Sequence, residues 1–428
     1  MTPRPVPKRK RRLLSSNLRV KRGVACLACL FLCFWASAGR AAEKPKVRAI
    51  TAFMHLDRGQ YNTQVQEALG MLRKAKAVYE QAGYEVQTIR ISTQPFPRYT
   101  QGSSREEILA FFREYDALAK KEGFDAAIGP AMLTDGDDPG QAELLGEVLR
   151  NTTTLNASMV VAGEDGVHWK AVRAAARLMK FLSERTPRSQ GNFNFSATAM
   201  LPENTPFYPG SYHTGAGRQF GIALQSANVV AEAFSSTKEP VAAAKALETA
   251  LGRHAHAIEA IALRLEKETG WSYMGIDLSP APLREVSIGA AIENLIGAKI
   301  GSSGTLTAAA TITSALHAIR VKRAGYSGLM LPVLEDAVLA ERWGEGALTL
   351  DALLAYSAVC GTGLDTIPLP GDVTEAQLAR IIGDMASLAV KLRKPLSARL
   401  QPVAGKKAGE RSDFDDPFLV NTTLRPLP

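Results

Sequence analysis

Val47-Arg48-Ala49-Ile50-Thr51-Ala52-Phe53 begins the stretch from which the fold is read: a β-type run, then an amphipathic helical periodicity over 62–82, then a second β-type run, Glu85-Val86-Gln87-Thr88-Ile89-Arg90-Ile91. Apolar residues at helical spacing between two strand-length runs predict a βαβ unit. The pattern then repeats, with helix over 105–121, strand over 125–128, helix over 141–150, strand over 158–161 and helix over 167–184. Such alternation predicts an α/β fold with a largely parallel sheet wrapped by helices.

Beyond residue 190 the rhythm changes. Residues 192–200 alternate Phe193, Phe195, Ala197 and Ala199 with polar positions, which predicts a half-buried strand. A glycine-rich loop follows over 201–218, carrying Pro206, Gly210, His213, Gly215 and Gly217. Loops longer than about 12–15 residues in compact domains are functional or disordered, and Phe207, Tyr208 and Tyr212 set this one apart from a disordered linker. Further along, 220–226 and 274–278 read as strands around an Ala-rich helix over 241–268, and a helix is expected from about Arg284. Helices over 306–320, 350–359 and 374–389, a short strand ending at Pro332, a strand over 397–400 and a last strand over 418–423 complete the reading. No repeat, coiled coil or linker divides the chain, so 43–428 is expected to be one domain.

The chain of 428 residues has a formal charge of +9, which by itself suggests a nucleic-acid or membrane-surface partner. Its distribution removes that suggestion. Residues 1–42 hold ten basic residues and no acidic one, whereas the other 386 hold 41 basic and 42 acidic groups. A near-neutral body argues against phosphate-backbone binding. The basic segment is followed by an apolar run from Val24 to Ala38 and by small residues at Ala36, Ala38, Ala41 and Ala42. The run is shorter than the roughly 20 residues of a membrane span, and its order predicts a secretory signal peptide over 1–42, cleaved after Ala38 or Ala42, and a secreted or periplasmic protein. An uncleaved anchor is the alternative; after cleavage no stable membrane insertion is expected. Cys26, Cys29 and Cys33 leave with the leader, so Cys360 is the one thiol of the mature chain and no internal disulfide can form.

No P-loop, paired CxxC, His-Glu-x-x-His or Gly-x-Ser-x-Gly motif is present, and nothing names a metal or cofactor. What remains is a set of glycine-punctuated loops with one polar group apiece. His213 has the chemistry of a general acid/base, or it hydrogen-bonds its own loop. Asp277 ends an apolar strand, where parallel α/β folds place ligands, or it caps the turn toward Pro280. Gly301-Ser302-Ser303-Gly304-Thr305 offers N–H groups and hydroxyls to an anion at a helix N-terminus, or supplies an ordinary N-cap. Cys360 closes a helix, where the dipole raises a thiol pKa, so a buried inert thiol competes with a nucleophile. Asp365 orients a base or caps its loop. Together with Gly325, Tyr326 and Ser327, these residues are expected to bind a small, anionic molecule.

Several of these stretches together resemble one family, the uncharacterised family called domain of unknown function 711. The resemblance runs from Val47 to the last strand. Its segments are Gly275-Ile276-Asp277-Leu278-Ser279 with Ala281-Pro282, Gly301-x-x-Gly304-Thr305, Gly325-Tyr326-Ser327-Gly328 with Pro332 and Glu335-Asp336, Cys360-x-x-Gly363-Leu364-Asp365, and Gly210-x-x-His213-x-Gly215. It implies a single large pyruvate-formate-lyase-like α/β barrel of about ten strands surrounded by helices, and no established reaction. Fold kinship does not carry radical chemistry with it. The expected protein is a small-molecule enzyme with an acid/base site at the barrel mouth, or a non-catalytic ligand-binding protein of the cell envelope; a homo-oligomer is left open.

Overall fold

The alternation legible in the first half becomes one side of a ten-stranded mixed sheet in the computed structural model, which describes residues 43–427. Strand β1 (Lys46–Met54), helix α1 (Tyr61–Gln81), β2 (Val86–Ser92), the single turn α2 (Pro97–Thr100), α3 (Arg105–Glu122) and β3 (Asp125–Pro130) come first. Helix α4 (Gly140–Arg150), β4 (Leu155–Gly163), the short β5 (Gly166–Val167), α5 (Trp169–Arg185) and β6 (Phe195–Ala199) follow. The helices start and stop where local chemistry dictates. Ser104 and Glu107 form a capping box at the start of α3, and Gly123 in the left-handed region ends it.

In the second half lie β7 (Gly217–Gln225), α6 (Ala227–Ser235), α7 (Pro240–Thr269), β8 (Ser272–Asp277), α8 (Ile288–Ile296), α9 (Thr305–Ala318) and α10 (Ala337–Glu345). Helix α11 (Leu350–Ser357), β9 (Gly363–Pro370), α12 (Glu375–Leu392) and β10 (Leu396–Val403) end the series. The sheet order is β8-β7-β1-β2-β3-β4-β6-β10-β9, with β5 paired to β4. Strands β1, β2, β3, β4 and β6 run parallel. The pairs β7–β8 and β10–β9 flank them in the opposite direction. The edge strands β8 and β9 are both bridged by the segment after α9, through Ile276–Arg323 and Pro332–Asp365.

One face of the sheet carries a cluster of polar residues, which positions the site. Alternate residues of β1, β2 and β6 pack outward beneath the helices, while Thr51, Thr88, Arg90, Ser92, Ser196 and Thr198 take the other face. The long loop before β7 folds into this interior rather than over the surface. Thr51 donates to the Pro206 carbonyl at 2.9 Å, Ser211 to Ser92 Oγ at 2.8 Å and Tyr208 to the Ile91 carbonyl at 2.7 Å.

Some sequence expectations are corrected. The strand expected over 192–200 is only Phe195–Ala199 and is buried throughout, because it lies inside the sheet between β4 and β10 with α5 and α12 packed against it; residues Pro187–Asn194 form 3-10 turns. The helix expected from Arg284 starts at Ile288, since Arg284 sits at φ 50° and pairs its backbone with the segment around Asp336, while Ser287 caps the helix. The segment ending at Pro332 makes a single bridge, not a strand. Residues 418–423 form no strand either: Val420 N–H goes to the Leu334 carbonyl and Thr422 N–H to Ser412 Oγ. Conversely, Asp365, expected in a loop, lies in strand β9. The signal peptide expected over 1–42 lies outside the described residues. Among those described, no helix is long and apolar enough to cross a membrane.

Candidate functional site

Three arginines enter the polar interior from three strands, each flanked by apolar neighbours: Val47-Arg48-Ala49 on β1, Ile89-Arg90-Ile91 on β2 and Ala398-Arg399-Leu400 on β10. Each is about 8% exposed, and together they line a cavity of about 190 Å³. Each guanidinium also lies on an aromatic face, Arg48 on Phe418 at 5.1 Å, Arg90 on Tyr208 at 4.6 Å and Arg399 on Phe193 at 4.9 Å. Such stacking fixes the guanidinium plane and leaves its N–H edge to be shared.

That edge is used very differently at the three positions. Arg399 Nε meets Asp365 Oδ1 at 2.7 Å, Nη2 bonds Glu335 Oε1, and Nη1 donates to the Phe193 carbonyl at 3.3 Å. Burial alone would lower the Arg399 pKa, but the Asp365 and Glu335 charges outweigh it and hold the group above its ordinary value. Arg48 has only Gln87 Oε1 at 3.3 Å and Glu335 Oε2 at 3.6 Å, and burial, with Arg90 and Arg399 nearby, pulls its pKa down despite Glu335. Arg90 Nε donates to Thr88 Oγ1 at 3.0 Å and approaches Asp125 at 3.8 Å. Among the described residues, the two terminal nitrogens of Arg90 have no hydrogen-bond partner. The same cavity is lined by Ser196 and Thr362, whose hydroxyls are buried and also unpartnered. Protein interiors rarely tolerate such groups.

The residues expected from the sequence divide around this cavity. Asp365 and Tyr326 line it, Asp365 from a strand rather than a loop. Gly325, Tyr326, Ser327 and Cys360 line a second cavity, about 430 Å³, together with His317 and Lys394; Tyr326 stands between the two. Cys360 is buried, and it is its carbonyl that binds the Lys394 ammonium. Asp277 is fully buried and fully used. Its Oδ1 accepts from Ser279 N at 3.0 Å, Ser279 Oγ at 2.6 Å and Ser327 N at 2.9 Å, and its Oδ2 accepts from Tyr326 N at 2.7 Å. Burial nonetheless raises its pKa to about 6. Asp277 thus fixes the backbone that carries Tyr326.

His213 lies in the inserted loop and lines neither cavity. Its N–H goes to the Thr93 carbonyl, its Nδ1 lies 3.0 Å from Asn204 Oδ1, its Nε2 has no partner, and burial lowers its pKa. The 301–305 turn is elsewhere again. Gly301 N donates to Thr305 Oγ1 at 3.0 Å, and Ser303 and Gly304 border a surface groove with Lys238. Gly301, at φ 102°, is required sterically, since a Cβ there would run into the Ala347 carbonyl. His213, Asp277, Cys360 and the 301–305 turn therefore do not share one cavity. Among the described residues no group of three or more His, Cys, Asp or Glu is placed to hold a metal ion.

From the sequence, no site role was read for Arg48, Arg90 or Arg399, nor for Glu335, which was named only within the family resemblance. A signal was present: an arginine between two apolar neighbours within a strand, three times. Taken together, the sheet and the cavity define an α/β protein with a buried, arginine-lined site of small-molecule size. The family model described as Uncharacterised ACR (DUF711) matches residues 41–415, and the chain belongs to that family. It is similar to a UPF0210 protein of Pyrobaculum arsenaticum (35% identical over 365 residues, 79% of this chain and 78% of the relative). Another UPF0210 protein, from Pyrobaculum aerophilum, is 36% identical over 369 residues, 81% of this chain and 80% of the relative. One from Listeria monocytogenes is 28% identical over 375 residues, 83% and 82% respectively.

Proposed function

We propose that this protein is an exported small-molecule enzyme that takes an anionic group of its substrate on Arg90 and Arg48 and carries out acid/base chemistry beside them. One observation carries the reading: Arg90, whose polar contacts among the described residues all run through Nε, shares a cavity with Arg48 and with the buried, unpartnered hydroxyls of Ser196 and Thr362. A carboxylate or phosphate supplies the acceptors that those donors lack. Tyr326 is the proton donor, since its phenol borders the cavity and burial holds its pKa above the ordinary value, keeping it as O–H. Glu335 is the acceptor; its Oε1 is held by Arg399, but its Oε2 has only Arg48 at 3.6 Å and keeps free lone pairs. Export is supported by the basic, then apolar, then small-residue order of the leader. A sheet whose two edges are bridged by one segment supports the pyruvate-formate-lyase-like barrel that the family resemblance implies.

The competing reading, a non-catalytic binding protein, is favoured by a different observation: Glu335 and Asp365 both give an oxygen to Arg399, which leaves few groups free for proton transfer. Thermal-shift titration with acetate, succinate and phosphate tests the site itself. The native protein should gain stability with at least one anion, by about 2.7 kcal/mol at a hundredfold excess over Kd, and Arg90→Gln should lose the response. No response, or the same response in the variant, sinks the site. Mass spectrometry of the bound molecule after long incubation then separates the readings, since conversion supports catalysis and intact recovery supports binding.

A further inference from the structure

We propose that the ligand of the arginine-lined cavity is a zwitterion of the α-amino acid class, its carboxylate taken by Arg90 and its ammonium by Asp125. The inference rests on the reading of that cavity as an anion site and adds a second, opposite charge to its occupant.

Arg90 and Asp125 are direct register partners on the neighbouring strands β2 and β3, and both line the cavity. Opposite charges within reach of one another can close into a charge-assisted hydrogen bond of about 2.7–2.9 Å. Here the nearest atoms are 3.8 Å apart. The reason is local. Arg90 Nε is turned to Thr88 Oγ1, and its plane lies on the Tyr208 ring, which is itself anchored through its hydroxyl to the Ile91 carbonyl. The pair is therefore held open, with the terminal N–H groups of Arg90 and the carboxylate of Asp125 both available to one occupant.

Charge balance points the same way. The lining carries Arg48, Arg90 and Arg399 against Asp125, Glu335, Asp365 and Asp416, a formal net of −1. A purely anionic ligand gains from Arg90 but adds negative charge next to Asp125. An ammonium beside the carboxylate removes that repulsion and uses the Asp125 oxygens, as charge-assisted recognition requires. Phe193, Phe207 and Met330 give the remaining wall an apolar surface for a side chain. A cavity of about 190 Å³ leaves room for a small occupant rather than a single water.

The test is isothermal titration with glycine, alanine, leucine and phenylalanine, each matched to its des-amino acid (acetate, propionate, 4-methylpentanoate and 3-phenylpropionate). At least one amino acid should bind the native protein about tenfold or more tightly than its partner, a difference of about 1.4 kcal/mol. Asp125→Asn should bring that affinity down toward the des-amino level, and Arg90→Gln should lose both ligands. If a des-amino acid binds as well as its amino acid and Arg90→Gln abolishes both, the zwitterion is overturned while the anion site stands. If none of the eight binds, or if Asp125→Asn keeps the full preference for the amino acid, the proposal falls.

Discussion

Arg399 and Arg90 make a matched pair. Both are about 8% exposed, both lie on an aromatic ring and both line the same cavity. They differ in what their N–H edges meet. Arg399 is bound on three sides by Asp365, Glu335 and the Phe193 carbonyl, whereas Arg90 has Thr88 and a distant Asp125. The difference teaches how to tell structure from function when residue type and burial are the same. A buried charge whose hydrogen bonds are closed within the protein is part of the framework. One whose bonds are left open is placed for something from outside. Asp277 belongs with Arg399, because its two oxygens are already filled by four donors.

The largest expected effect breaks the Arg399 side. Arg399→Gln leaves the buried Glu335 and the half-buried Asp365 without their common cation, and removing one partner of a buried ion pair costs about 3–5 kcal/mol. Guanidinium denaturation should show that loss, and adding Asp365→Asn to the variant should recover part of it, because the stranded charge is then removed as well. A loss below about 1 kcal/mol would mean that Arg399 is no more structural than Arg90, and the comparison would collapse.

The next effect tests Asp277 through pH. Burial puts its folded-state pKa near 6, against an ordinary value of 3.8. A raised folded-state pKa means that the native state holds the proton more tightly than the unfolded chain between those values. Stability from this group is therefore present below about pH 4 and is lost as pH rises through about 6. Two pKa units correspond to about 3 kcal/mol as an upper bound. The native protein should thus gain stability relative to Asp277→Asn as the pH is lowered from 7 to 4. His213, buried with a lowered pKa, works in the opposite direction below about 6.5 but cancels in the comparison, since both proteins contain it. Denaturation midpoints at four pH values check the slope. A pH-independent difference would show that Asp277 titrates like an exposed carboxylate.

What could be read from the sequence follows from how local each signal is. Most helices and strands were legible because periodicity and caps act over a few neighbouring residues: α1 and β2 lie within one or two positions of expectation, whereas the short helices α6 and α10 were not read. Strand β9 was not, because Gly363, Pro368 and Pro370 argue against a strand, and only its place at the edge of the sheet makes prolines tolerable. The 301–305 turn carried a glycine-rich signature that anion loops and plain steric needs share, and Gly301 is there for the Ala347 carbonyl. The arginine cavity was hidden for another reason. Arg48 and Arg90 come from the two strands of the first βαβ unit, but Arg399 comes from β10 at the other end of the chain, and its meeting with them depends on sheet order, which one sequence does not print. Asp365 and Tyr326 were singled out and do line that cavity, but for a turn chemistry different from their actual surroundings.

The smallest expected effect on stability is the one that sharpens the comparison most. Arg90→Gln removes a guanidinium whose nearest carboxylate, at 3.8 Å, is partly exposed, and it strands no buried charge. Glutamine can still reach Thr88 and lie against Tyr208, so the change in unfolding free energy should stay within about 1 kcal/mol, the range of a weak, partly solvated pair. The same substitution should remove carboxylate binding, because a neutral amide cannot replace the charged, two-pronged donor. Denaturation and titration on one preparation give both numbers. Stability kept and binding lost assigns Arg90 to the ligand, as its open edge implies. A loss of stability as large as that of Arg399→Gln would show that the open N–H groups have structural partners of their own, and that two arginines alike in burial and stacking are alike in purpose as well.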